Sequence, residues 1–221
     1  VTARLLVLPS PLLGPVGYRP LAAALRTLGH DASVAECREP ISSERLVAQW
    51  GETARSADTL VAHSNAGYLA ASVAEDAGGA TLLFMDAALP PVTGPTRLAP
   101  PELLATLADL AADDGRLPPW TRWWPAEEMA ELLPAPWFER VDAAAPRLSR
   151  AYFETDVAPP PGWSTGACAY LAFGTTYAAE LAFARAAGWP VAEVAGHHLW
   201  HLTHPTEVAV ALDALATRLP G

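Results

Sequence analysis

Residues 60–70 read LVAHSNAGYLA, and this stretch decides the architecture. The run Asp58-Thr59-Leu60-Val61-Ala62 turns apolar and leads straight into His63-Ser64-Asn65, after which small residues continue at helical spacing. The pattern predicts a strand, a sharp turn with Ser64 at its apex, and a helix. A serine in that place is lifted out of the sheet with its hydroxyl exposed, and the N–H of the next residue, Asn65, points into the same space. Only small neighbours fit, because strand and helix nearly touch on either side of the turn. Ala62 and Ala66 stand where the G-x-S-x-G pattern has its glycines, and Gly67 follows. A serine here also suits a plain helix N-cap, so the turn alone leaves both readings open.

Outward from this turn the chain alternates. RLLVL (Arg4–Leu8) is a short apolar strand ended by Pro9-Ser10-Pro11, and a helix over Tyr18–Leu28 is closed by Gly29. Asp31–Ala35 reads as a second strand, and Ser42-Ser43-Glu44 opens a helix reaching about Ser56. The helix after the serine turn runs to about Ala77 and stops at Gly78-Gly79, and TLLFM (Thr81–Met85) is a fourth strand finishing at Asp86. Residues 87–162 break the rhythm. They are rich in proline and tryptophan, with helical pieces near Glu102–Ala112, Ala126–Leu133 and Pro136–Ser149. The strand pattern resumes at CAYLAF (Cys168–Phe173), followed by a helix over Tyr177–Ala187, a strand over Val191–Val194 and a last helix from Thr206 to about Leu219.

Strands that are apolar throughout and alternate with helices form a parallel sheet covered on both faces. The expected fold is α/β, a three-layer αβα sandwich with a mostly parallel sheet of about six strands. Residues 1–86 and 163–221 make its core and 87–162 a helical insertion, all within one domain. Following the carboxyl end of the fourth strand, the insertion is expected over the sheet edge where such folds bind ligands.

Composition narrows the function. With 221 residues and 51% hydrophobic content the chain fills one core, and no run of 18 apolar residues marks a membrane span. Net charge is −10, and all 14 basic residues are arginine. An acidic chain without basic patches argues against nucleic acid and anionic membrane as partners, leaving small molecules or other proteins. Cys37 and Cys168 are too few and too scattered for a disulfide framework or a metal cluster. Neither a basic n-region nor a cleavage site opens the sequence, so the expected compartment is cytoplasmic. The glycines follow no dinucleotide fingerprint and no P-loop appears, so no cofactor is expected.

Ser64, Asp86 and His197-His198 (in VAGHHLWHLTHP) then fall in order, each after the C-terminal end of a strand. In this the chain resembles the α/β-hydrolase superfamily over nearly its whole length, as a compact member lacking the first two strands, with thioesterase- and esterase-like motifs and the insertion in the place of a cap. The resemblance implies a Ser-His-Asp triad. Counting back from Pro205 puts His198 rather than His197 in the catalytic place. Most resembling enzymes carry the acid after the strand that follows the cap, where Gly174-Thr175-Thr176-Tyr177 offers no carboxylate until Glu180. A minority, the haloalkane-dehalogenase-like enzymes among them, place it after the strand following the nucleophile. Asp86 stands there, and is preferred to Glu180. A carboxylate is needed to fix the imidazole tautomer and stabilise the imidazolium. His201 and His204 are expected at the start of the last helix, solvated or touching the cap. Four histidines within eight residues lack partner carboxylates or cysteines, so no metal site is expected.

The resemblance places one oxyanion donor at Asn65 N–H and the second in the loop after the first strand, here Pro9-Ser10-Pro11 and then Leu12. Proline has no N–H, so with Pro11 in the donor position the second backbone donor is absent, unless Leu12 takes the place over or the Ser10 hydroxyl substitutes for it. Trp120, Trp123 and Trp124 in LPPWTRWWPAEEM, with Trp137-Phe138 and Tyr152-Phe153, either glue the cap to the sheet or line an apolar pocket. Arg122 between them either orients an anionic group or is, as a lone arginine more often is, a surface residue. The reading is a serine hydrolase of esterase or thioesterase type acting on a small hydrophobic substrate. Its alternatives are a non-hydrolytic lyase, cyclase, isomerase or acyl transferase using His198 as base, and a catalytically silent binding protein.

Overall fold

The computed structural model describes residues 2–219; Val1, Pro220 and Gly221, which the sequence reading places in the core, lie outside the described residues. The elements in chain order are β1 (Arg4–Leu8), α1 (Arg19–Thr27), β2 (Asp31–Val34), α2 (Ser43–Ala54), β3 (Thr59–Ser64), α3 (Gly67–Asp76) and β4 (Thr81–Ala87). The insertion follows with β5 (Thr96–Arg97), α4 (Pro101–Leu110), α5 (Ala126–Leu132), α6 (Ala135–Ala144), α7 (Arg150–Glu154) and β6 (Asp156–Val157). The core closes with β7 (Cys168–Phe173), α8 (Ala178–Ala186), β8 (Val191–Val194), α9 (Trp200–Thr203) and α10 (Pro205–Ala216).

Six strands form one parallel sheet in the order β2-β1-β3-β4-β7-β8. Burial follows that order. Every residue of β3 and β7 is buried, whereas the edge strands β2 and β8 keep partly exposed positions, which is why the central strands read as continuous apolar runs. Helices cover both faces in three layers, as the sequence pattern implies. Burying each core leucine, such as Leu6, Leu21 and Leu60, contributes about 1.5–3 kcal/mol.

The insertion departs from its sequence reading in two ways. The helix expected over Pro136–Ser149 ends at Ala144, with Ala145 extended (φ −64°, ψ 129°). Pro146 imposes this, because its ring excludes the residue before it from the helical region and it has no N–H to donate. The chain then re-forms a separate short helix, α7. The second departure is an antiparallel pair, β5 with β6, which ties the insertion's two ends together through Thr96–Val157 and Arg97–Asp156. Two residues are too short to show a strand period in sequence.

Candidate active site

The turn after β3 is built by sterics. Ser64 has φ 57°, a left-handed conformation rare for a non-glycine residue. Gly67 begins α3 so close to the next strand that a Cβ on it would stand 1.9 Å from the Ala88 carbonyl oxygen. Only glycine lets the helix start there, and the relaxed motif with alanines at positions 62 and 66 works because the close approach falls one residue later.

Strand β4 delivers the acid through a bulge. Its register with β3 runs from His63 opposite Met85 to Ser64 opposite Ala87, skipping Asp86, whose φ is 42°. The Tyr170 hydroxyl takes over the backbone groups freed at the bulge, accepting from Ala87 N–H at 3.1 Å and donating to Ala87 C=O at 2.7 Å. Fully buried, Asp86 accepts from Phe173 N–H at 2.9 Å and from His198 Nδ1–H at 2.7 Å. His198 Nε2 lies 3.1 Å from Ser64 Oγ. The structure thus brings Ser64, His198 and Asp86 into one hydrogen-bonded line, in which Asp86 sets the tautomer that leaves Nε2 free to accept the serine proton. Glu180 sits one turn into α8, half-buried, with no hydrogen bond to His198 among the described residues. Burial and, secondarily, the charge of Asp86 raise its carboxyl above the usual range. His197 lines the cavity instead of meeting the serine; burial first, then His198 and His204, lowers its pKa.

The cavity above Ser64 measures about 590 Å³, within the range of small-molecule sites. Its wall includes Leu12, Asn65, Trp120, Trp123, Trp124 and Tyr177. Leu12 and not Pro11 reaches the wall, and neither the Leu12 nor the Asn65 N–H has an acceptor within the chain among the described residues. The Ser10 hydroxyl, a sequence candidate, is buried away from the cavity without a partner. Arg122, left open by the sequence as an anchor for an anionic group or a plain surface residue, is exposed, ion-paired with Asp142 at 2.7 Å and not part of the wall. Glu128 is the cavity's one exposed carboxylate, and no arginine lines it. The Asn65 side chain is occupied elsewhere: its Nδ2 donates to Leu98 C=O at 2.6 Å and its Oδ1 accepts from Tyr152 O–H at 2.8 Å, so it clasps the insertion onto the sheet.

A second polar cluster lies behind His198, and sequence reasoning missed it. Ser10 N–H donates to the Tyr18 hydroxyl at 3.0 Å, the Tyr18 hydroxyl meets His63 Nδ1 at 2.8 Å, and His63 Nε2 faces the His198 carbonyl at 3.0 Å. A carbonyl only accepts, so Nε2 carries the proton and Nδ1 receives one from Tyr18. Burial drives the His63 pKa well below the ordinary value, keeping the ring neutral. His201, expected to be solvated or cap-contacting, is instead fully buried, 4.7 Å from Tyr18 and 4.5 Å from His63 between ring centroids, with neither nitrogen hydrogen-bonded. Its place on a helix that turns inward before Pro205 explains the difference, and burial lowers its pKa to about 3. His204 is exposed. The motif position of His63, immediately before the serine in an apolar strand, is the one sequence signal for this cluster.

Among the described residues no group of three histidine, cysteine, aspartate or glutamate side chains is placed to hold a metal ion, and no helix is long and apolar enough to cross a membrane.

No family model and no curated protein matches the sequence. Solved structures do. An extracellular α/β-hydrolase from a Paenibacillus species, described as sharing structural and functional homology with tobacco salicylic acid binding protein 2, superposes with TM-score 0.74 at 15% identity over 96% of this chain and 98% of that one. A pyrethroid hydrolase matches with TM-score 0.68 at 17% identity, covering 98% of this chain and 97% of that one. A structure from the ammonia-oxidizing thaumarchaeon Nitrososphaera gargenis, from work on its carboxylesterases, matches with TM-score 0.66 at 13% identity, covering 98% and 90%. What these proteins share with this chain is the α/β-hydrolase fold.

Proposed function

We propose that this chain, an α/β-hydrolase fold with Ser64, His198 and Asp86 in hydrogen-bonded line, is a serine hydrolase acting on a small, hydrophobic, uncharged ester or thioester. The observation that carries the reading is the pair of contacts His198 Nε2–Ser64 Oγ, 3.1 Å, and His198 Nδ1–Asp86 Oδ2, 2.7 Å. Each is at the distance a nucleophile–base–orienting acid relay needs. The structural neighbours named above as hydrolases support the same class. Residues 87–162 act as the cap that closes over the substrate.

In the acylation step Ser64 Oγ attacks the carbonyl carbon and its proton passes to His198 Nε2, while Asp86 stabilises the imidazolium. The carbonyl oxygen takes up negative charge between the Asn65 and Leu12 N–H groups. The bond to the leaving group breaks, the proton on Nε2 goes to the departing atom, and an acyl-enzyme remains. Water, deprotonated by His198, reverses the sequence and frees the acid.

Substrate charge follows from the wall. With Glu128 present, no arginine, and a net charge of −10 over the whole chain, an anion leaving water for this cavity finds no arginine to pair with, a cost of several kcal/mol. Trp120, Trp123, Met129 and Phe153 favour an apolar or aromatic body. A fluorophosphonate probe read by intact-protein mass tests the activity: wild type gains one adduct and Ser64→Ala gains none. A folded wild type that stays unlabelled excludes the nucleophile.

A further inference from the structure

Tyr177 lines the cavity with its hydroxyl 3.5 Å from Ser64 Oγ. Nothing in the relay just described uses it. Its position is set by the end of β7, where Gly174, at φ +59° and with the Gly196 carbonyl 2.9 Å from where a Cβ would stand, turns the chain toward the site. The contact with Ser64 is at the outer limit of a hydrogen bond and is the hydroxyl's sole one among the described residues. The group is therefore held beside the reacting atom without being committed to it. Burial, the largest influence, raises its pKa well above the ordinary tyrosine value, so it stays a donor at any working pH.

Sheet order fixes what it can donate to. Strand β3, which carries Ser64, has β1 on one flank and β4, β7 and β8 on the other. The Leu12 N–H belongs to the β1 flank, where the carbonyl oxygen collects charge. Asp86, Tyr177 and His198 come from the ends of β4, β7 and β8, and the Tyr177 ring lies 5.5 Å from that of His198. The leaving group departs on that second flank, because His198 Nε2 has to hand it a proton.

We infer that Tyr177 is a further catalytic residue whose hydroxyl hydrogen-bonds the departing oxygen, and that the substrate is accordingly an oxygen ester of an aliphatic alcohol. The inference rests on the serine-hydrolase reading. As the carbon–oxygen bond breaks, its electron pair goes to the alcohol oxygen. His198 Nε2 delivers the proton taken from Ser64, and Tyr177 stabilises the developing charge while keeping its own proton. A second donor matters most for an alkoxide, whose parent acid is nearly as weak as water, pKa about 15.7. A thiolate comes from a far stronger acid (pKa about 8.5 for the cysteine thiol) and leaves with less help.

The test compares kcat/KM of wild type and Tyr177→Phe on the ethyl, S-ethyl and p-nitrophenyl esters of one short-chain acid. The expected loss is about 10²-fold on the ethyl ester, in the range for removal of one stabilising donor, and within about 3-fold on the other two, the margin a weak hydrogen bond leaves. The ratio between substrates is internal to each protein, so a variant that folds less well still reports it. Equal losses on all three esters would overturn the assignment while leaving the hydrolase reading intact. A wild type that hydrolyses none of them would reject the hydrolase reading, and this inference with it.

Discussion

The two flanks of Ser64 are built from different materials. On the β4–β8 flank three strand ends present side chains, Asp86, Tyr177 and His198, and a hydrogen bond of 2.7 Å to Asp86 holds the base. On the β1 flank only backbone is offered, Leu12 N–H after two prolines. Its loop is tied by Ser10 N–H to the Tyr18 hydroxyl in a cluster of uncharged rings, Tyr18, His63 and His201, that also backs the His198 carbonyl. One flank is chemistry written in residue types, the other is chemistry written in chain geometry. The comparison shows why a single serine turn can be recognised from sequence while half of its surroundings cannot.

The largest effect should come from the side-chain flank. Asp86→Asn keeps the shape but inverts the hydrogen bond to His198, favouring the wrong tautomer, and should cut kcat by roughly 10⁴-fold with KM little changed, measured by ester turnover. On the backbone flank, Leu12→Pro deletes one N–H and should lower kcat/KM by about 10²–10³-fold. The probe adduct mass on Ser64 should still form, only more slowly. A Leu12→Pro enzyme with wild-type rates would remove that flank from the mechanism and leave Asn65 as the sole backbone donor.

The uncharged stack makes the next prediction. His63 and His201 are neutral in the fold because burial depresses their pKa values, His201 to about 3. Below the unfolded histidine value of about 6.5 the unfolded chain binds protons that the fold refuses. Their contribution is therefore complete above pH 6.5 and falls with pH below it, at about 1.4 kcal/mol per pH unit for each ring. Urea melts at pH 7 and pH 5 should show this loss. His201→Leu should shrink the difference by the share of one ring, and an unchanged difference would mean that His201 takes up its proton in the fold as readily as in the unfolded chain. The smallest effect is expected from Tyr18→Phe, which frees Ser10 N–H and His63 Nδ1: kcat should fall about 10-fold, the equivalent of about 1.4 kcal/mol of lost hydrogen bonding. The binding of a cavity-filling ligand, followed by tryptophan fluorescence, should not move.

Legibility in the sequence follows the same division. The four inner strands of the sheet are legible because they are nearly continuous apolar runs, and the edge strands β2 and β8 by their alternation with helices. Ser64, Asp86 and His198 follow strand ends, but it takes the resemblance and the count back from Pro205 to single them out from Glu180 and His197. What escaped depends on three-dimensional burial. His201 and His204 have the same residue type three positions apart, yet one packs behind the site and the other faces solvent. Tyr177 read as the start of a helix, since a tyrosine after a strand carries no motif. The β5–β6 pair and the break at Ala144 turn on two-residue contacts and on Pro146, below the length at which a period can be read. Which of its two readings Arg122 follows is settled by Asp142, a partner 20 residues away that no sequence pattern links to it.

Asn65 gives one residue two employers. Its N–H belongs to the cavity, while its carboxamide fastens Leu98 and Tyr152 at 2.6 and 2.8 Å. In the proposed hydrolase, lifting the cover over Ser64 would release both grips, and the loosened side chain would share its backbone with the N–H next to Ser64. The cover and the charge-stabilising turn are in this sense a single latch. If residues 87–162 close over the substrate as proposed, a chain that opened to admit or discharge a molecule would for that moment be a poor catalyst, and water entering through the gap would meet a site not yet assembled.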